Sequence, residues 1–218
     1  MVGLFVTFEG GEGSGKSTQF ARLAARLRAR GVEPLVTREP GGTALAEGIR
    51  DLLLDPARRP GAMSEALLME AARADLVTSL VRPALAAGRV VLCDRYADST
   101  LAYQGAGRGL DSGLLALLNQ AATGGLEPDL TLLYDVPPEV GLARRENAAG
   151  ETNRLDHEPA DLHQRVRRCF LDLAAAEPER WVVLDATATP DELERLGWAA
   201  LEPRLAAAGT GPGSEAVS

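Results

Sequence analysis

The chain has 218 residues, enough for one α/β domain with a full core, while two independent domains would be cramped. Its net charge of −8 argues against a nucleic-acid polymer as partner and asks only for a local basic pocket if the ligand is a small anion. Cys93 and Cys169 form neither a disulfide framework nor a metal spacing, and no apolar run reaches the roughly 18 residues of a membrane span. The expectation is a cytoplasmic protein with no membrane segment.

Leu4-Phe5-Val6-Thr7-Phe8 reads as a short buried strand. Gly10-Gly11-Glu12-Gly13-Ser14-Gly15-Lys16-Ser17 follows and matches GxxxxGK[ST], and Phe20, Leu23, Ala24 and Leu27 then recur at helical spacing. Strand, glycine-rich turn and helix together are the setting of a phosphate cradle. Backbone N–H groups wrap the anion and the helix dipole favours its charge. Lys16 is placed to reach the β- and γ-phosphates of a nucleotide, Ser17 to hold Mg²⁺, and Thr18 lies beside it. Lys16 is also the only lysine among 23 basic residues. A composition that avoids lysine has kept one where the cradle requires it.

A second strand, 34–37, leads into Arg38-Glu39-Pro40-Gly41-Gly42, a tight turn that projects Arg38 over the strand end and makes Pro40 a candidate for a cis bond. Arg50 and Arg73 stand in apolar helical patterns, where a single arginine is more often a solvated charge than a ligand. Ala62 to Ala87 reads as one long helical segment that Pro83 interrupts or kinks near its end. The strand at 90–93 puts Cys93 in an apolar run and ends at Asp94, an acid suited to orienting Mg²⁺. Arg95-Tyr96, Ser99-Thr100 and Tyr103-Gln104 come next, with Arg95 placed to grip a second anion.

Strands at 130–134 and 181–184 bring the total to five. Glu9, Asp94, Asp135 and Asp185 stand at or near strand ends, and Arg38-Glu39 at the remaining one. The alternation predicts a parallel sheet covered by helices on both faces, with ligands outside its carboxyl edge. Residues 143–156 are polar and poorly periodic, either a lid or a plain surface loop. Thr189-Pro190-Asp191-Glu192 caps a last helix over 190–206, and 207–218 is expected to be a disordered tail. His157 and His163 read as polar-face helix residues with no role.

Taken together, these segments resemble the thymidylate kinase family from about residue 4 to about residue 190. The resemblance rests on the run Phe8 to Ser17, on Arg38-Glu39-Pro40-Gly41-Gly42, and on Asp94-Arg95-Tyr96-Ala97-Asp98-Ser99-Thr100-Leu101-Ala102-Tyr103-Gln104, the most specific of the three. Pro128-Asp129-Leu130-Thr131, Asn153-Arg154-Leu155-Asp156 and Asp185-Ala186-Thr187 add to it. It implies an α/β P-loop NTPase fold, with a five-stranded parallel sheet flanked by helices on both faces and a lid at about 143–156. It also implies a single kinase domain over 1–206, a homodimer, and Mg²⁺-dependent transfer of the γ-phosphate of ATP to dTMP, giving dTDP and ADP for dTTP biosynthesis.

The same resemblance assigns roles. Gly10, Gly11, Glu12, Gly13, Ser14, Gly15, Lys16, Ser17 and Thr18 would cradle ATP, with Arg154 closing the lid on that side and 185–190 as the adenine-side loop. Ser17 and Asp94 would hold the metal. Arg38, Arg50 and Arg95 would surround the 5′-phosphate of dTMP, Arg73 would contact the thymine edge with Thr100 and Gln104, and Ser99 joins that set. Tyr103 would crowd the sugar's 2′ position, and Glu12 would face the sugar hydroxyl or a neighbouring arginine. The catalytic set is then Lys16, Glu39, Asp94, Arg95 and a lid arginine, Arg144 or Arg145. Relatives place an aromatic ring four residues before the base-reading arginine. Here that position is Met69, which reads equally as a thioether packed on thymine and as a core methionine. A nucleoside kinase and a nucleotide-dependent switch are the competing readings, and the number of arginines favours a nucleotide acceptor.

Overall fold

The computed structural model describes residues 3–55, 57–147 and 158–209. Five strands form one sheet: β1 (Leu4–Glu9), β2 (Leu35–Arg38), β3 (Val90–Asp94), β4 (Leu130–Asp135) and β5 (Trp181–Asp185). All neighbours are parallel, in the order β2-β3-β1-β4-β5. The helices, in chain order, are α1 (Lys16–Ala29), α2 (Ala44–Leu54), α3 (Ala62–Leu76), α4 (Arg82–Ala86), α5 (Ala97–Thr100), α6 (Ser112–Thr123), α7 (Pro138–Asn147), α8 (Ala160–Ala176) and α9 (Pro190–Ala207).

The period-two alternation of β1 builds the core on both faces. Leu4, Val6 and Phe8 pack with Leu23 and Leu27 of α1 and with Trp198 and Leu201 of α9. Phe5 faces the other way, joining Val91 and Cys93 of β3 to Leu76, Val77 and Val81. Further along that side, α8 buries Val166 and Phe170 against Leu133, Trp181 and Tyr103.

The predicted segment 62–87 is helical throughout, but it changes register. A π-helical turn, Val77–Val81, joins α3 to α4, and Pro83, which has no N–H to donate to the preceding turn, follows it at the start of α4. A second π-helical turn, Leu101–Gly107, continues α5. The last helix runs one residue past its expected end, to Ala207, and 210–218 lie outside the described residues. The polar-face reading of His163 is wrong. It is buried in the stripe of α8 that holds Leu162 and Val166, because that helix packs against the second π-helical turn. His157 lies outside the described residues. Glu39–Pro40 is cis.

Candidate active site

The carboxyl ends of β1, β2 and β3 lie side by side and open onto a cavity of about 360 Å³. The cradle between β1 and α1 forms one side, with Gly11 to Thr18 on the wall. Its backbone is tightly enclosed. Gly13 has φ 66°, and a Cβ there would lie 1.9 Å from the carbonyl oxygen of Gly141 in α7. A Cβ on Gly141 would in turn lie 2.2 Å from the carbonyl oxygen of Glu12. Two glycines let the cradle and α7 touch backbone to backbone.

Lys16 is only 8% exposed, and its Nζ donates to Asp94 Oδ1. Burial, reinforced by the nearby Arg95 charge, lowers its pKa from the usual lysine value. Ser17 and Thr18 are exposed at the start of α1, and Ser14 Oγ is buried with no partner among the described residues.

Arg95 has φ 70°, the one positive φ at a non-glycine among the described residues, and such a conformation costs about 1–3 kcal/mol. Hydrogen bonds on both sides hold it. Arg95 N donates to Phe8 O at 3.0 Å, and the next amide, Tyr96 N, donates to Glu9 Oε1 at 2.9 Å. The guanidinium is thereby turned into the cavity. Its Nη2 donates to Glu12 Oε1 and to the Tyr103 hydroxyl, both at 3.0 Å, and its Nη1 reaches Ser99 Oγ at 3.3 Å. The acid in the cradle is therefore matched to an arginine. Beneath it, Glu9 is fully buried and accepts from Tyr96 N and, at 2.7 Å, from Ser99 Oγ. Burial pushes its carboxyl up to about 7, against the pull of Arg95.

Two more arginines stand across the opening. Arg38 pairs with Glu47 at 3.0 Å, an exposed contact of little strength, so its head is available to another anion. Arg50 Nη1 donates to Pro40 O at 2.9 Å. Burial, and then the charge of Arg38, lower the pKa of Arg50. Two cations this close favour an anion between them.

Arg73 lies behind the wall and is 0% exposed. Its Nη2 sits 2.7 Å from Glu39 Oε2 and its Nη1 sits 2.5 Å from Glu70 Oε1. Thr100 Oγ1 and Asn119 Oδ1 accept from Nη1 at 3.0 and 2.8 Å, and Tyr96 O accepts from Nη2 at 3.2 Å. Burial pushes the Glu39 carboxyl up to about 7, and Arg73 opposes that shift.

Of the residues singled out from sequence, the cavity wall brings together Gly11 to Thr18, Arg38, Glu39, Arg50, Met69, Asp94, Arg95, Ser99, Tyr103, Gln104 and Arg145. Gly10, Arg73, Thr100 and Arg144 are not on it. Arg144 turns away to donate to Ala186 O at 2.8 Å, in the 185–190 loop. Arg154 and most of the predicted lid lie outside the described residues. The sequence reading missed Glu65, Glu70, Asn119 and Gly141 and gave Glu9 no site role. Among these, only Glu70, one helical turn before Arg73, carries a local signal.

Among the described residues no cluster of three or more His, Cys, Asp or Glu forms a metal cage. Ser17 and Asp94 on one wall beside the cradle do fit Mg²⁺. That ion takes hard oxygen ligands, keeps several waters, and is commonly held by one or two carboxylates together with substrate phosphates.

A glycine cradle between the first strand and first helix of this parallel sheet, facing a group of arginines across one cavity, defines a P-loop kinase. The family model described as thymidylate kinase matches residues 8–196. The thymidylate kinase of Deinococcus radiodurans is 55% identical over 202 residues, covering 93% of this chain and 98% of that protein. That of Thermomicrobium roseum is 58% identical over 196 residues, covering 89% and 92%. The crystal structure of thymidylate kinase from Ehrlichia chaffeensis superposes with a TM-score of 0.75 at 33% identity, covering 92% of this chain and 99% of that one. The chain belongs to the thymidylate kinase family.

Proposed function

We propose that this chain is a dTMP kinase, transferring the γ-phosphate of ATP to the 5′-phosphate of dTMP to give dTDP and ADP for dTTP synthesis. The observation that carries the reading is the single cavity running from the cradle past Arg95 to Met69 and Gln104. It is long enough in chemistry for two nucleotides: a triphosphate cradle at one end, guanidinium groups in the middle, and an apolar slot with an amide at the other.

Residues 1–206 act as one kinase domain in this reading. The ATP phosphates lie on the cradle, where Lys16 exchanges Asp94 for β- and γ-phosphate oxygens. Ser17 and Asp94 would hold Mg²⁺, whose charge offsets the same oxygens. The dTMP phosphate sits between Arg95, Arg50 and Arg38, and one of its oxygens attacks the γ-phosphorus in line. Bringing two anions together is the main obstacle, and the arginines remove it by charge and position. No general base is required, because a phosphate monoester is largely a dianion at neutral pH. Arg145 of α7, on the cavity wall, is the lid cation, whereas Arg144 braces the adenine-side loop. Tyr103, fixed to Glu12 at 2.9 Å, stands at the sugar and favours deoxyribose.

The enzyme works as a cytoplasmic homodimer in this proposal. Support for a second copy is the number of exposed apolar residues on three neighbouring helices, where α2 packs on α3 and α3 on α6: Leu45 and Leu52, Met63 and Leu67, Leu114 and Leu117. Light scattering of the purified chain tests that point. For the activity, ATP turnover is measured with dTMP, dUMP, thymidine or no acceptor. dTMP should be preferred, and preference for thymidine or rapid hydrolysis without acceptor would overturn the reading.

A further inference from the structure

Gln104 lines the base end of the cavity from the second π-helical turn and is 4% exposed. Its Nε2 donates to Glu65 Oε1 at 2.7 Å, while its own Oε1 is buried with no partner among the described residues. A carboxylate can only accept hydrogen bonds, so it takes the NH₂ end of the amide and decides which end is left over. What remains is an acceptor.

The clamp is itself held in place. Arg108 Nε donates to the same Glu65 oxygen at 2.9 Å, and Arg108 Nη2 donates to Glu158 Oε1 at 2.7 Å, just ahead of α8. Glu65 is 2% exposed, so its carboxylate needs both this counter-charge and these donors. It stands at the base end of the cavity, remote in role from phosphate chemistry, and the transfer reaction gives it nothing to do.

We infer that Glu65 is a positioning residue that sets base specificity: by holding the Gln104 amide in one orientation it offers a carbonyl to a ring N–H and refuses a bare ring nitrogen. Thymine presents such an N–H at N3. Cytosine presents a lone pair there, which would face the carbonyl with no proton between them. Gln104 alone does not discriminate, because an unclamped amide turns over and serves either base. The inference rests on the dTMP reading and deepens it by naming what rejects the cytosine nucleotide. Sites that leave a buried polar group unpaired with the wrong substrate are the ones that discriminate strongly.

The test compares kcat/KM for dTMP and dCMP in the full-length enzyme. In Glu65→Gln the clamp offers both a donor and an acceptor, so the Gln104 amide is free to present either end. The dTMP:dCMP ratio is expected to fall by at least about tenfold, through KM for the acceptor more than through kcat. In a Gln104→Met background the same substitution should leave the ratio unchanged, since no amide remains to be turned. Should Glu65→Gln fail to fold, Glu65→Met/Arg108→Met removes both charges together and carries the same expectation. The inference is overturned if the ratio is unchanged in the clamp variant, or if it changes equally with and without Gln104. Wild-type turnover of dTMP with unaltered discrimination in Glu65→Gln sinks this inference alone. Absence of wild-type dTMP turnover sinks it together with the proposed activity.

Discussion

Arg73→Met removes the cation from a site where two buried carboxylates depend on it. Glu39 and Glu70 are 4% and 6% exposed, and each lies within 2.7 Å of the guanidinium. Removing one partner of a buried ion pair costs about 3–5 kcal/mol, because the survivor is left charged without compensation. At pH 8 we expect a loss of about 4 kcal/mol, a large share of the roughly 5–15 kcal/mol that holds a domain together. The loss should depend on pH. The Glu39 carboxyl titrates near 7 when folded, against 4.5 as the reference, and Arg73 is what holds it down. Without Arg73 it rises further, so the folded variant holds a proton that the unfolded chain releases. Stability must then increase as pH falls from 8 towards 5, and the gap to wild type must narrow. Urea unfolding of both proteins at pH 8 and pH 6 measures this directly. A loss under about 1 kcal/mol at pH 8 is too small for a broken buried pair, and would show that the network does not hold the acceptor wall. A loss of equal size at both pH values would refute the account of Glu39.

Three further outcomes follow from the site. Arg145→Ala should lower kcat by about a hundredfold or more, the cost of one lost transition-state donor, whereas Arg144→Ala should act mainly on KM for ATP. Steady-state kinetics showing the reverse would exchange their roles. Met69→Phe should tighten dTMP about twofold to tenfold if the side chain lies on the base, since stacking contributes about 0.5–1.5 kcal/mol, and calorimetry showing unchanged affinity makes it a core residue. Glu9, whose carboxyl burial raises to about 7, binds more proton folded than unfolded between pH 4.5 and 7, so it lowers stability as pH climbs through that range. Glu9→Gln should flatten part of this slope, read as the change in Tm between pH 5 and pH 8, and an unaltered slope would count against it.

The five strands were legible because each is a short apolar run closed by a polar residue, and the cradle because its chemistry is contiguous: the residues that enclose a phosphate are neighbours in the chain. Other parts of the site are assembled from afar. Arg73 meets Glu39 and Asn119 across 34 and 46 residues, and no periodicity links them. An arginine in an apolar helix reads as a solvated charge until its distant acids are known. Arg144 and Arg145 are adjacent and chemically alike, but one residue of helix turns a side chain by about 100°, so which of them lines the cavity needed the position of α7. Gly141 carried no signal in the sequence, and only the backbone of Glu12 pressed against it explains its presence. The π-helical turns were hidden because each spans only five or seven residues, too few to show a period of its own in the sequence.

The arginine-for-lysine composition has a chemical consequence. Every ε-amine this polypeptide possesses is the one at Lys16, and burial there lowers its proton affinity. Reagents that acylate, carbamylate or alkylate primary side-chain amines therefore find one internal address, in the floor of the reaction chamber. Decoration of that one side chain with an amine-directed dye would titrate working molecules one by one, and cyanate in an aged denaturant stock, by carbamylating it, would silence a preparation whose fold is otherwise unchanged.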